Sequence, residues 1–319
     1  MKKAFVLVIF LVLLFCTGCS VSNSKFTIQE LTNNTAAITG YEDKTVTTLE
    51  IPSKLNGKEV TQIGKDAFDR FRELSAITIP DTVTEIGDYA FIYCERLESI
   101  AFSQKLKSIG QYAFSGCKVQ SVAMPEGVTY IGSSAFEGCE ELTSVTLPSS
   151  LENIGTNPFA SCNMLTSIEF PNGSRLFEVD NNVWYTKLYG RTLICYPAGL
   201  QDSSFDIPEG VVKIYNFAFQ GCSLESITIP QSVKKIGAGA FCENQALTSI
   251  MIPDGVTSIE DFTFSNCKNL TSVIIPPSVT SISKNAFNLI ESTVVLKVVS
   301  GSYAEQYAID NNIAYSMTE

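Results

Sequence analysis

The cysteines are the residues of this sequence whose types and spacing could do chemistry. Cys139 lies in the stretch SAFEGCEELTSVTLP (134–148), three residues after Phe136. A thiol at that position could act as a nucleophile, bind a metal, form a disulfide or pack as a small buried side chain. The 319 residues include 10 cysteines but no histidine. The lack of histidine excludes Ser-His-Asp and Cys-His catalysis and histidine metal ligands, which leaves only carboxylate or cysteine sites.

Six cysteines share one position of a repeated pattern, three residues after a phenylalanine. They are Cys94, Cys117, Cys139, Cys162, Cys222 and Cys267. Other copies carry Phe71, Asn244 or Ile290 at this position, and a catalytic or metal site could not tolerate those side chains. Stacked side chains that point in parallel also fit disulfide geometry poorly. We therefore predict free, buried thiols, and no catalytic residue, metal or cofactor.

The overall charge excludes several classes of partner. The formal net charge is −11, and the sequence contains no basic run of lysine and arginine. Nucleic-acid binding requires clustered basic residues that displace counterions. DNA, RNA and anionic membrane surfaces are therefore excluded as expected partners.

The N-terminus reads as a targeting segment. Lys2 and Lys3 precede an apolar run of 12 residues, from Ala4 to Phe15. That length suits a signal peptide and is short of the roughly 20 residues needed to span a bilayer. The residues Cys16-Thr17-Gly18-Cys19 then resemble a bacterial lipobox, although Cys16 stands where leucine is usual.

The lipobox resemblance implies how the mature protein begins. It implies cleavage of a signal peptide at 1–18, a diacylglycerol on the Cys19 sulfur, and a tether at 19–25. Two or more acyl chains hold a protein stably at a membrane. We therefore expect a surface-exposed lipoprotein of the bacterial cell envelope, on the outer membrane if the host has one, which contacts membrane only through its anchor.

Internal repetition indicates the elements that position the cysteines. An isoleucine, usually followed by glycine, recurs with a phenylalanine five residues later. The isoleucines are Ile63, Ile86, Ile109, Ile131, Ile154, Ile214, Ile236, Ile259 and Ile282. Their intervals are 23, 23, 22, 23, 60, 22, 23 and 23 residues. The second half of each unit, such as LTSVTLP from Leu142, alternates apolar and polar residues and ends in proline, which is typical of a short strand.

The unit resembles the BspA-like class of leucine-rich repeat. The resemblance rests on the pattern Leu-x-x-Ile/Val-x-apolar-Pro, then Ile-Gly-x-x-Ala-Phe-x-x-Cys, in nine copies over about residues 26–319. It implies a leucine-rich repeat solenoid of about nine repeats of 22–23 residues, with parallel strands on one face, turns on the other, and capped ends. It also implies a surface protein, since members of this class are typically bacterial or protist surface proteins, and some are adhesins that bind host matrix proteins.

The pattern divides the mature chain into five segments. We predict an N-terminal cap at 26–60, repeats at 61–171 and 207–297, an irregular coil with a hairpin at 172–206, and a C-terminal cap at 298–319. Asn56-Gly57 predicts a hairpin turn in the first cap. Ser302 and Glu305 form a capping box that predicts a short helix in the second.

The 60-residue interval predicts a hairpin rich in aromatic residues. It contains Trp184, the only tryptophan, together with Tyr185 and Tyr189. One interpretation packs these rings against the repeats, because aromatic side chains mostly serve cores. The other makes them ligand contacts, because tryptophan and tyrosine are enriched at binding hot spots.

The outward positions of the repeat strands suggest a second candidate surface. Serine and threonine dominate these positions, which predicts a long, flat, weakly polar face that is either simply solvated or suited to a protein or glycan. Met251 and Ile274 form an apolar step on it, flanked by Thr248 and Thr271. We predict that these four residues contact a ligand.

These observations favour a lipid-anchored, adhesin-like binding protein of the cell surface rather than an enzyme. The expected ligand is a protein or a glycan, including host extracellular matrix proteins. The alternative function is an envelope scaffold that contacts another bacterial surface component.

Overall fold

The repeats form successive turns of a solenoid, as their spacing predicts. The computed structural model describes residues 23–188, 190–290 and 293–318. The solenoid has about 12 turns and little helix. This exceeds the nine predicted repeats, because strands of both caps and of the irregular coil also pair with the repeat sheets.

The strands are short and alternate along the chain. The N-terminal segment contains β1 (Phe26–Glu30), β2 (Thr35–Tyr41), β3 (Thr48–Glu50), β4 (Lys54–Leu55) and β5 (Lys58–Ile63), with 3₁₀ turns at Asn23–Lys25 and Thr32–Asn34. The first block of repeats contains β6 (Ala76–Thr78), β7 (Glu85–Ile86), β8 (Ser99–Ala101), β9 (Ser108–Ile109), β10 (Ser121–Ala123), β11 (Tyr130–Ile131), β12 (Ser144–Thr146), β13 (Asn153–Ile154) and β14 (Ser167–Glu169).

The remaining elements continue this alternation after one interruption. The irregular coil contains β15 (Phe177–Asp180), β16 (Val183–Thr186), β17 (Arg191–Cys195) and β18 (Ser204–Asp206). The second block contains β19 (Val211–Ile214), β20 (Ser226–Thr228), β21 (Lys235–Ile236), β22 (Ser249–Met251), β23 (Ser258–Ile259), β24 (Ser272–Ile275), β25 (Ser281–Ile282), β26 (Val295–Val298), helix α1 (Tyr303–Asp310) and β27 (Ala314–Met317).

Each turn contributes strands to two parallel ladders. The longer strands end before the repeat prolines, and we call their outward side the long-strand face. The outward side of the two-residue strands and of β17 and β19 is called the short-strand face. The longer strands pair as β3-β6-β8, β10-β12-β14 and β18-β20-β22-β24-β26-β27. The hydrogen-bonded ladder of longer strands is interrupted after β8 and after β14, so it consists of three segments.

The core is a ladder of phenylalanine rings. All nine repeat phenylalanines are at most 2% exposed. Phe68, Phe91 and Phe114 stack in succession, with 5.0 Å between neighbouring ring centroids. Glycine follows most repeat isoleucines because the preceding turn leaves no room for a side chain. A Cβ on Gly87, for example, would lie 2.8 Å from the Lys65 backbone nitrogen.

Both ends of the described chain show the local signals expected from sequence. Asn56 and Gly57 connect antiparallel strands β4 and β5 with positive φ angles of 49° and 75°. Ser302 Oγ accepts a hydrogen bond from the Glu305 backbone N–H at 3.3 Å, as a capping box should. Ala304, Tyr307 and Ala308 of helix α1 are buried.

The hairpin in the irregular coil is confirmed, but two of its predicted ligand contacts are wrong. Strands β15, β16 and β17 form an antiparallel meander, and β17 then pairs in parallel with β19. Trp184 is 0% exposed and Tyr185 is 1% exposed. Neither ring can touch a surface ligand, because alternate residues of β16 insert into the two cores on either side. Tyr189, the third predicted contact, lies outside the described residues.

Candidate binding surface

The apolar step on the long-strand face is present as a register pair. Parallel pairing places Met251 of β22 beside Ile274 of β24, and Ile274 beside Lys297 of β26. Met251 is 57% exposed, and Ile274 is half-buried between its neighbours. The two side chains therefore form one small apolar surface next to a lysine.

Thr248 and Thr271 flank this step, and their hydroxyl protons are already used within the solenoid. Thr271 Oγ1 donates to the Thr248 carbonyl at 3.2 Å, and Thr248 Oγ1 donates to the Glu225 carbonyl at 3.4 Å. Both residues remain exposed. In this arrangement the two hydroxyls present lone pairs rather than protons to the solvent side of the face.

Strand β26 adds two residues that sequence reasoning missed. Val295 lies beside Ser272, and Lys297 lies beside Ile274. Val295 is half-buried and Lys297 is exposed. The alternation in VVLKVV (294–299) was a usable signal, but this segment lacks the proline and Ile-Gly marks that set the register elsewhere.

The cysteine thiols are free and buried, as the repeat pattern predicts. All eight cysteines in the described part of the chain are free and buried. Cys139 Sγ donates to the Phe114 carbonyl at 3.2 Å, and five other repeat cysteines bond to the preceding turn in the same way. Burial raises the pKa of Cys139 to about 12. A nucleophilic thiol needs a lowered pKa, so this column serves packing.

The short-strand face carries aromatic and charged residues near the irregular coil. Tyr130 is 39% exposed, and the Tyr215 ring packs against both cores. Arg191 closes the hairpin, since its Nε lies 2.8 Å from Glu178 and its Nη2 lies 2.7 Å from Asp180. Its guanidinium also lies 3.9 Å from the centre of the Tyr185 ring. The hairpin is thus held by charge pairs and buried rings.

Two further features are absent from residues 23–188, 190–290 and 293–318. Those residues contain no group of three or more Cys, Asp or Glu side chains that could hold a metal. No helix there is long and apolar enough to cross a membrane. Cys19, the predicted lipidation site, lies outside the described residues.

Solved structures resemble this chain over most of its length. A leucine rich cell surface protein from Faecalibacterium prausnitzii is 28% identical, with a TM-score of 0.56 and coverage of 91% of this chain and 97% of that one. A leucine-rich repeat protein from Eubacterium ventriosum is 21% identical, with a TM-score of 0.65 and 82% coverage of each chain. The pneumococcal vaccine antigen PcpA is 19% identical, with a TM-score of 0.53 and coverage of 92% and 96%.

The latter two similarities show only the shared fold, because their identities are low. No curated protein gives a significant match to this chain. The sequence model of the BspA type leucine rich repeat region matches residues 61–187 and 198–313, in six copies. With these matches, the phenylalanine ladder and the paired strands, the chain belongs to the BspA-type leucine-rich repeat family.

Proposed function

We propose that this chain is a non-enzymatic, lipid-anchored binding protein of the bacterial cell surface. The observation that carries the proposal is the register pair of exposed Met251 and half-buried Ile274 on the long-strand face. The pair, with Lys297 beside it, forms an apolar contact with a charged rim, as protein interfaces commonly do. The ligand is a protein or glycan of the host or of a neighbouring cell.

The cell-surface part of the proposal has separate support. The Faecalibacterium prausnitzii relative is described as a cell surface protein and is 28% identical over 91% of this chain. The lipobox-like Cys16-Thr17-Gly18-Cys19 and the apolar run before it support the proposed anchor. Mass spectrometry of the N-terminal peptide should find diacylglycerol on Cys19, and Cys19→Ser should release the protein from the membrane fraction. An unmodified Cys19 would remove the anchor from the proposal.

A binding screen tests the face. Full-length protein in detergent would be tested against extracellular matrix proteins and a glycan panel, alongside a Met251→Ser/Ile274→Ser variant. We expect the double variant to weaken binding at least tenfold. The matched control is Met164→Ser/Leu289→Ser, which removes two exposed apolar side chains elsewhere, 53% and 69% exposed. Equal losses in both variants, or no ligand at high micromolar concentration, would contradict the proposal.

A further inference from the structure

Two lysines face each other on the short-strand face without a carboxylate between them. Lys213 of β19 and Lys235 of β21 are register partners in a parallel ladder. Neighbouring strands lie about 4.8 Å apart, and like charges placed directly opposite destabilise a sheet. Neither lysine forms an ion pair with any residue in the described ranges.

Some basic side chains of the described chain do form ion pairs with carboxylates. The protein has 33 acidic and 22 basic residues, so carboxylates are abundant. Lys118 pairs with Glu141, for example, across one turn of the solenoid. Directly after the next short strand, β23, the Glu260 carboxylate accepts a hydrogen bond from Ser258 at 2.7 Å. The two lysines therefore have no neutralising carboxylate partner among the described residues.

The Lys213 side chain is also partly shielded from solvent. It is half-buried, and its Nζ lies 4.9 Å from the centre of the Tyr215 ring. Burial, and secondarily the charge of Lys235, lowers the pKa of Lys213. An anion bound between the two lysines would counter both effects, since it would supply the missing opposite charge.

The surroundings of the lysine pair suit a sugar. Tyr215 stands where most repeats carry glycine, at the break between the two blocks, and its pKa is raised by burial and then by nearby Tyr130. Asn153, the register partner of Tyr130, is exposed. Ile154 is half-buried here, whereas the other eight repeat isoleucines are buried. Aromatic rings pack against the C–H faces of sugars, and amides bond their hydroxyls.

We propose that Lys213, Lys235 and Tyr215 bind the acidic group of a saccharide, and that Tyr130 and Asn153 contact its neighbouring sugar. An acidic peptide is the less favoured ligand, because the face offers tyrosine rings and polar groups, which suit a sugar. This inference rests on the proposed binding function and names one class of ligand for it. The site differs from the Met251–Ile274 pair, which lies on the long-strand face.

The test measures binding of defined oligosaccharides to full-length protein in detergent. The probes are a sulfated heparin hexasaccharide, a carboxylate-only hyaluronan hexasaccharide, neutral maltohexaose and a hexaglutamate peptide. The variant is Lys213→Gln/Lys235→Gln. Its matched control is Lys105→Gln/Lys284→Gln, which removes two exposed lysines elsewhere and changes the net charge equally.

We expect at least one acidic saccharide to bind, with affinity that falls as salt rises. The Lys213→Gln/Lys235→Gln variant should lose at least tenfold, and the control less than twofold. The heparin and hyaluronan arms separate sulfate from carboxylate recognition. Tighter binding of hexaglutamate, equal losses in both variants, or no binding of either acidic saccharide would overturn the inference. If neither acidic saccharide binds but a protein ligand binds normally, this inference fails and the proposed function stands. If no ligand of any kind binds, the inference and the proposed function both fail.

Discussion

Cys139 illustrates how one residue type is selected at a repeat position. Its thiol donates to the Phe114 carbonyl of the preceding turn, and the side chain is fully buried. Asn244 occupies the same column and donates to the Phe219 carbonyl at 2.6 Å. Its Oδ1, however, is buried without a partner among the described residues. Cysteine therefore suits the column because it supplies a weak donor with no second polar atom to satisfy.

The buried thiols should make stability depend on pH under alkaline conditions. Burial raises the pKa of Cys139 from 9.0 to about 12. Between these values the unfolded thiol ionises and the folded one does not, so stability is full below pH 9 and falls as pH rises toward 12. Raising the pH from 7 to 10 should therefore lower the free energy of unfolding of Cys139→Ser by about 1 kcal/mol less than that of wild type. Urea unfolding at both pH values checks this.

Asn244→Ala is the control for the thiol prediction. It changes the same column without removing a thiol, so it should show the pH dependence of wild type. An identical loss in Cys139→Ser and wild type would mean that the thiol ionises normally in the folded protein.

At the scale of the element, the turns after each short strand require left-handed backbone conformations. Tyr93 has a φ of 54°, and Gly116, at the equivalent position of the next turn, has a φ of 72°. The Tyr93 ring lies over Gly116, where an added Cβ would be 2.7 Å from Tyr93 Cδ1. Gly138, one turn further, has a φ of 68° and open space around it. The same conformation thus faces different neighbours in successive turns.

Gly116→Ala should be more destabilising than Gly138→Ala. Both substitutions cost about 1 kcal/mol for an L-residue in the left-handed region. Gly116→Ala must also displace the Tyr93 ring, which adds about 1–2 kcal/mol of overpacking. Chemical denaturation measures both, and a Tyr93→Ala background should bring Gly116→Ala close to Gly138→Ala. Equal costs in the wild-type background would show that the ring moves freely.

At the scale of the whole molecule, the buried residues form two cores rather than one. Trp184 belongs to the N-terminal core with Phe159 and Phe177, while Tyr185 belongs to the C-terminal core. Tyr215 packs against both. The phenylalanine stack passes from Phe159 to Trp184 on one side and restarts from Tyr196 to Phe219 on the other. In a repeat protein, turns couple only to their neighbours, so this junction is where cooperativity is weakest.

The two cores should unfold separately once one is weakened. Leu247→Ala deletes a fully buried side chain of the C-terminal core and should cost about 2–5 kcal/mol there. We expect circular dichroism to show an early transition, while fluorescence of Trp184, the only tryptophan, keeps its midpoint in urea. Leu97→Ala, in the N-terminal core, should instead shift the fluorescence midpoint. A fluorescence shift in Leu247→Ala as large as that in Leu97→Ala would indicate a single cooperative unit.

The repeat sequence alone determined the solenoid and the free thiols, because each depends on side-chain period and on contacts between adjacent turns. It also predicted the pairing of Met251 with Ile274, since in-phase strands place equivalent residues side by side. Tertiary structure decided the features that lie where the repeat period is interrupted. Trp184 and Tyr185 could not be assigned to core or surface from sequence, because their burial depends on how the hairpin inserts between the two cores. The placement of Tyr215 between the two cores was likewise decided by tertiary structure, because it depends on how the chain returns from the irregular coil to the repeats.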